Sequence, residues 1–208
     1  HPQWSPDGLT IGFTSKRSGT ARLMLMNADG SDPREISTPG RAYMGEWSPD
    51  GRWLSYLDGD FQTRLVRTDG SEERSLLADA STSVGMPGAW APQGERIAFI
   101  ANQGVGLDIY ILDLDTGETQ QVTDGLNLNR FATLSWSPTD PIIFYVNRTG
   151  DFVGDIYALD LRDGSQRELT PGQDQGAGPV WSPDGKTVLF NGVVDGVGGE
   201  FTMQPDGS

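Results

Sequence analysis

Apolar and polar residues alternate along this chain in short runs, and the runs recur. Ile11, Leu54, Ile97, Ile143 and Val188 occupy equivalent places, and two residues further on stand Phe13, Tyr56, Phe99, Tyr145 and Phe190. A two-residue period turns one face of a strand into a core. Ahead of each run lies a tryptophan and a turn: WSPDG at Trp4, WSPDG at Trp47, WAPQG at Trp90, WSPTD at Trp136 and WSPDG at Trp181. These tryptophans are 43, 43, 46 and 45 residues apart, and a fixed period of that size marks a solenoid, propeller or array. Ser-Pro-Asp-Gly suits a tight turn, because proline presets φ, aspartate caps locally and glycine tolerates the bend into the next strand.

A further strand comes later in each unit: ARLMLM, TRLVR, DIYILDL, DIYALDL and EFTM. Each runs into a hairpin-type turn, ADGS, TDGS, DTGE, RDGS or PDGS. A fourth strand reads PREIS, ERSLL, TQQVT and QRELT in the first four units. Four strands in a unit of about 40–45 residues predict a propeller blade. Glycine and proline, 28 and 13 residues, punctuate the chain too often for long helices. The expected fold is an all-β β-propeller with four complete four-stranded blades and a fifth lacking its outermost strand. It reads as one domain over residues 1–208, with the five tryptophans at buried, pseudo-symmetric positions.

Charge narrows the partners. There are 15 basic and 29 acidic residues, a formal net charge of -14, and only Lys16 and Lys186 are lysine. Such a surface repels phosphate backbones and anionic lipid, so neither nucleic acid nor a membrane surface is an expected partner. No run approaches the ~18 apolar residues of a membrane-spanning helix. Cysteine is absent, which excludes disulfides and thiolate chemistry.

The repeat resembles the TolB-type family of propeller repeats, also found in the propeller domains of prolyl oligopeptidase-like and tricorn-type peptidases. The resemblance covers essentially the whole chain. It implies export to a periplasm or the cell exterior. With six blades usual in that family, the chain reads as a section of a larger propeller rather than the alternative, an unusual five-blade ring. A propeller of this kind serves many roles, so function must come from sites.

Catalysis finds little to use. A Ser-His-Asp triad needs a histidine base, and the only histidine is His1. There is no GxSxG elbow, and no catalytic residue is expected. Asp113, Asp115, Gly117 and Glu118 in DLDTGE faintly resemble a calcium loop, but the glycine falls one place early and the loop is too short. A hairpin turn equivalent to RDGS in the next unit is the better reading. No metal or cofactor is expected. Five of the six tryptophans sit at the repeat's fixed place, where a large ring fills the gap between blades. Trp53 is the exception, since alternation points it to the opposite face from Leu54.

Binding is the remaining expectation. The loops joining the second and third strands, and those joining one blade to the next, vary while the strands repeat, as on a constant scaffold with variable loops. In the first set, SKRSGTA, DGDFQT, ANQGVGL, NRTGDFVG and NGVVDGVGG, the candidates are Arg17, Phe61, Arg148 and Phe152. In the second they are Arg41, Tyr43, Met44, Arg130 and Phe131, residue types that enrich binding centres. Against this stands the reading that each ring packs its own loop. Asn147-Arg148-Thr149 is a glycosylation sequon placed on such a loop.

The expected function is a non-catalytic binding or scaffold propeller engaging a protein through its loop rim. One alternative is a propeller gating substrate for a peptidase domain outside the chain. Another is a structural subunit joined by strand donation at the open fifth blade, where Glu200, Phe201, Thr202, Met203 and Gln204 form a weakly blunted edge.

Overall fold

The computed structural model describes residues 2–37, 40–60, 62–76, 88–102, 106–126, 128, 132–148, 154–170, 175–194 and 196–208, without the side chains of residues 44, 148 and 175–177. Its regular elements are all strands, grouped in five antiparallel sheets. The chain divides into two compact units, His1–Pro87 and Gly88–Ser208.

The first unit holds two sheets. Strands β1 (Gln3–Trp4), β2 (Thr10–Ser15), β3 (Arg22–Asn27) and β4 (Arg34–Glu35) form one in sequence order; β5 (Tyr43–Trp47), β6 (Trp53–Leu57), β7 (Thr63–Arg67) and β8 (Glu73–Ser75) form the other. The second unit holds three. They are β9 (Ala89–Trp90), β10 (Arg96–Ala101), β11 (Asp108–Asp113) and β12 (Thr119–Gln121); β13 (Leu134–Trp136), β14 (Ile142–Arg148), β15 (Gly154–Asp160) and β16 (Gln166–Glu168); and β17 (Gln175–Trp181), β18 (Val188–Val194) and β19 (Val197–Met203). Four sheets of four strands and one of three are the blades of a β-propeller fold, as the repeat predicts. The outermost strands are shorter than their sequence motifs, at two or three residues each.

The WSPDG turn is held by its own side chains. In the first sheet the Ser5 hydroxyl donates to Asp7 Oδ1 at 2.6 Å and accepts the Thr10 N–H at 2.9 Å, while Asp7 Oδ1 takes the Leu9 N–H at 3.0 Å. Ser48 with Asp50, and Ser182 with Asp184, repeat the arrangement. The turn glycines Gly8, Gly51, Gly94 and Gly185 sit at φ of 72°, 71°, 82° and 70°, where a side chain is strained. WSPTD departs from this: Asp140 stands at the glycine's place without a left-handed backbone.

Packing obeys the alternation. Leu23 and Leu25 of the first sheet bury against Leu54, Tyr56 and Val66 of the second. In the second unit Ile100, Ile109 and Ile111 meet Ile143, Tyr145 and Leu159, and Phe144, Val146 and Ile156 meet Val188, Phe190 and Met203. Where one strand contributes two of these side chains they are two residues apart, so a one-residue slip would turn both away from the interface.

The tryptophans correct the expectation of uniform burial. Trp90 and Trp136 are 8% exposed and Trp47 and Trp181 half-buried, but Trp4 is 60% exposed. Trp47, Trp136 and Trp181 pack on residues of the sheet before their own, with the Trp181 ring 4.4 Å from that of Phe144. Trp4 belongs to the first sheet in sequence, and no cluster of buried residues includes it among the described residues. Trp53 faces away from Leu54 as alternation requires and is fully buried, with the guanidinium carbons of Arg67 and Arg74 each 4.8 Å from its ring centroid. Glu72 pairs with both arginines.

Candidate functional site: a charged cleft at the rim of the second sheet

In the second sheet the two variable loop sets meet. Tyr43 of β5 lies opposite Leu57 of β6, so the segment entering β5 and the turn leaving β6 share one end of the sheet. Arg41 comes from the first of these and Asp58, Gly59 and Asp60 from the second, and together they enclose a cleft of about 280 Å³. Its floor is Tyr56 of β6, Arg64 of β7 and Glu73 of β8.

The floor answers its own charges. The Tyr56 hydroxyl donates to Glu73 Oε1 at 2.5 Å, and Arg64 Nε donates to the same oxygen at 3.0 Å. Burial pushes the Tyr56 hydroxyl well above the usual tyrosine range, and the hydrogen bond and charge of Glu73 push it further. Asp58 Oδ1 takes the N–H groups of Asp60 and Gln62 at 2.9 and 3.0 Å, and Oδ2 lies 3.9 Å from Arg64 Nη1. Two lining charges remain: the Arg41 guanidinium and the Asp60 carboxylate have no side-chain partner among the described residues.

The equivalent tyrosine of the fourth sheet has different partners. Tyr145 occupies the position of Tyr56 and donates to Gln166 Oε1 at 2.5 Å. Its ring stacks on that of Tyr157, centroids 5.4 Å apart and planes 17° apart. Burial raises both hydroxyls above the usual range, Tyr145 the further.

The blade-joining segments are anchored by hydroxyls just after the fourth strand. Ser37, Thr123 and Thr170 accept the N–H groups of Leu23, Ile109 and Ile156 at 3.4, 2.9 and 2.9 Å. In the third sheet Thr123 also donates to buried Asp108 at 2.9 Å, and Asp108 takes the N–H groups of Gly125 and Leu126 at 3.1 Å each. These contacts set where a rim loop departs, leaving its tip free to vary.

Of the rim residues singled out in the sequence, Arg41 lines the cleft and Tyr43 stands half-buried beside it in β5. Arg17 is exposed in the β2–β3 turn, in a sheet of its own. Met44 pairs with Tyr56 through its backbone, and Arg148 with Gly154. Phe61, Arg130, Phe131 and Phe152 lie outside the described residues. Two expected loops are shorter than their sequences suggest. Strand β14 runs through Arg148, which puts Asn147 and Arg148 of the sequon in a strand rather than a loop, and Thr149 lies outside the described residues. Strands β18 and β19 continue through most of NGVVDGVGG, with Val194 paired to Val197, because the valines favour extended backbone. Sequence reasoning passes over Tyr56, Asp58, Arg64 and Glu73. The available signal is a tyrosine where three repeats have phenylalanine, since a buried hydroxyl needs a partner.

DLDTGE is a turn: Asp113 Oδ1 takes the N–H groups of Asp115 and Thr116 at 3.1 and 2.8 Å and the Thr116 hydroxyl at 3.0 Å. These bonds, the Thr116 N–H foremost, hold the Asp113 carboxyl below its ordinary value. A second cleft of about 280 Å³ lies at this end, lined in part by Arg96, Asp113 and Leu161. Arg96 is already engaged by Glu95 at 3.3 Å and by the Trp136 ring at 5.4 Å. Among the described residues no three histidine, cysteine or acidic side chains are grouped to hold a metal ion. Strand β19 pairs with β18, and no strand lies against its other edge among the described residues.

Comparison with known proteins agrees with the fold. The chain is 30% identical over 121 residues to the TolB homologue of Chlorobium luteolum, covering 57% of this chain and 27% of that protein. It is 28% identical over 211 residues to the uncharacterized peptidase YuxL of Bacillus subtilis, covering 91% of this chain and 29% of that protein. The chain thus spans under a third of the length of either curated relative. Among solved structures, TolB from Acinetobacter baumannii superposes with a TM-score of 0.66 at 17% identity, over 95% of this chain and 53% of that one, a likeness of fold. The sequence matches the TolB beta propeller domain over residues 60–208, and with the five-sheet architecture this makes the chain a member of the TolB β-propeller family.

Proposed function

We propose that the chain is a non-catalytic binding propeller, acting in the periplasm or outside the cell, that engages a protein partner through its loop rim. The observation that carries this is the convergence of Arg41 and Asp58–Asp60, from the two variable loop sets, on one cleft with unpaired charge. The strands beneath it are paired and packed, so the rim is presented on a rigid base. A net charge of -14 favours partners with basic surfaces and speeds their approach. Absence of a second histidine and of any cysteine supports the non-catalytic part.

Site-specific photocrosslinking tests this. A photoreactive residue is placed at Arg17, Arg41 or Asp60 on the rim, and at Asp29 or Asp163 in the opposite turns. Adducts to one discrete protein from the rim positions alone are expected. Adducts from the turn positions alone, or equally from all five, would overturn the reading.

The match to a peptidase over 91% of the chain favours a second reading, a propeller gating substrate for a peptidase domain outside these residues. Under it, Arg41→Ala would change which peptides the intact protein cleaves rather than which protein it captures. The free edge of β19 supports a third, pairing of residues 200–204 with a strand from another chain. Backbone-amide protection of those residues on assembly would distinguish it.

A further inference from the structure

The charges of the rim cleft are unevenly satisfied, and the unanswered ones describe a ligand. Glu73 is answered by Tyr56 and Arg64, and Asp58 by two backbone N–H groups with Arg64 close by. Arg64 is in turn held by Glu73. Arg41 and Asp60 face the same small volume with no partner for either side chain among the described residues. We infer that this cleft binds the carboxylate of a peptide ligand, with Arg41 receiving the carboxylate and Asp60 receiving a neighbouring peptide N–H. The inference rests on the rim-binding reading and names the chemistry of that rim.

Several observations select a carboxylate over other anions. A guanidinium offers a planar fork that matches a carboxylate with two parallel hydrogen bonds. A phosphate would bring up to two negative charges to a cleft already lined by Asp58, Asp60 and Glu73, in a chain of net charge -14. A peptide carboxylate carries one negative charge and has an N–H nearby on its own backbone, which suits an acceptor such as Asp60. The volume, about 280 Å³, is at the lower end of the ~300–1,000 Å³ of small-ligand pockets and suits a peptide end or one side chain rather than a folded segment.

The carboxylate can come from a chain terminus or from an acidic side chain, and the probes separate the two. Isotope-labelled chain is titrated with N-acetyl-Ala-Ala bearing a free carboxylate, with its C-terminal amide, and with N-acetyl-Ala-Asp-Ala amide, while backbone and Arg41 side-chain N–H resonances are followed. Saturable shifts centred on Gly40, Arg41 and Gly59 are expected from at least one carboxylate probe, and none from N-acetyl-Ala-Ala amide. Whichever carboxylate probe binds more tightly identifies the source. Arg41→Gln should weaken binding at least about tenfold, the loss of a charged hydrogen bond pair, with resonances away from the cleft unmoved. Arg41→Lys should bind between the two, because an ammonium keeps charge but lacks the fork. Equal shifts with the capped amide, unchanged affinity in Arg41→Gln, or no saturation with either carboxylate probe would overturn the inference. The crosslinking result stands or falls separately, since a rim that captures a protein without preferring carboxylate peptides would sink this inference alone.

Discussion

The second and fourth sheets place a tyrosine at the same point of the repeat, and the two tyrosines end in different chemistry. Tyr56 lies across the ladder from Arg64 and donates to a carboxylate, Glu73. Tyr145 lies across from Tyr157 and donates to an amide, Gln166. In one sheet the result is an ion network under a cleft, in the other a stacked aromatic pair whose Tyr145 hydroxyl meets an amide and whose Tyr157 hydroxyl meets the Glu168 carboxylate. The ladders differ too, since β5–β6 carries a register shift between Met44 and Trp47 that β13–β14 lacks, so ladder and side chains together set the chemistry around each tyrosine. The same two sheets also differ at the opposite end, where Ser48-Pro49-Asp50-Gly51 is locked by its own hydroxyl and carboxylate and Ser137-Pro138-Thr139-Asp140 only by longer bonds to the Ser137 hydroxyl.

The largest test of this comparison removes the rings. Tyr56→Ala and Tyr145→Ala should each cost about 3–5 kcal/mol, since both rings are almost fully buried. The phenylalanine variants should separate the sheets. Tyr145→Phe leaves the ring stack with Tyr157 in place and frees an exposed Gln166 to water, so a loss under about 1 kcal/mol is expected. Tyr56→Phe takes a donor from half-buried Glu73, which Arg64 also contacts at 3.0 Å, and should cost about 1–2 kcal/mol. Urea unfolding of the four variants checks this, and a Tyr145→Phe loss as large as that of Tyr56→Phe would break the distinction.

Much of the architecture can be read from the chain alone, and the reasons lie in particular residues. The two-residue spacing of Leu54 and Tyr56, or of Ile143 and Tyr145, specifies a strand and its buried face without knowledge of neighbours. The WSPDG turn carries its own hydrogen bonds within six residues, so it too is local. Trp4 departs from its repeat because burial of a repeat position depends on a neighbouring sheet. The cleft is illegible for a related reason. Arg41, Asp58, Arg64 and Glu73 span 33 positions of sequence, and it is the register of β5 through β8 that gathers them. The ladder of β18 and β19 runs further than its variable sequence suggests, because Val193, Val194 and Val197 favour extended backbone where the composition reads as loop.

A smaller effect is expected at the turns. Ser48→Ala removes the acceptor of the Trp53 N–H at 2.9 Å and the donor to Asp50 at 2.6 Å, at a fully buried position. Leaving that N–H without its acceptor should cost about 1–2 kcal/mol. Ser137 is as fully buried, but Ser137→Ala removes only long bonds, 3.2 and 3.4 Å, from the N–H groups of exposed Asp140 and Thr139, and should cost under about 1 kcal/mol. Equal losses would mean that the hydroxyl does not lock the turn.

The smallest effect is in the acid limb of stability, and it separates the two turns by sign and slope. Burial alone would raise the Asp50 carboxyl, but hydrogen bonds from the Ser48 hydroxyl, the Arg52 N–H and the Arg52 guanidinium outweigh it and hold Asp50 below its ordinary 3.8. Asp7 and Asp184 are held below 3.8 as well, chiefly by the hydroxyls of Ser5 and Ser182 and then by the N–H groups of Leu9 and Lys186. A carboxyl depressed in the folded state binds protons more weakly there than in the unfolded chain. Its contribution is therefore present in full above the unfolded value and is lost as pH falls through the folded one. The share of stability from these three carboxyls should be level above about pH 5 and fall below about pH 4, while Glu46, raised by burial, works in the opposite direction as pH rises through its ordinary 4.5. Ser48→Ala removes the largest of the hydrogen bonds that depress Asp50, so its acid limb should be shallower than that of the parent chain. Ser137→Ala should leave the slope as it was, because Thr139 stands where WSPDG has its aspartate. Thermal melts of the three proteins between pH 3 and 6 measure this, and a slope unchanged by Ser48→Ala would show that the serine hydroxyl contributes nothing to the ionisation of its turn.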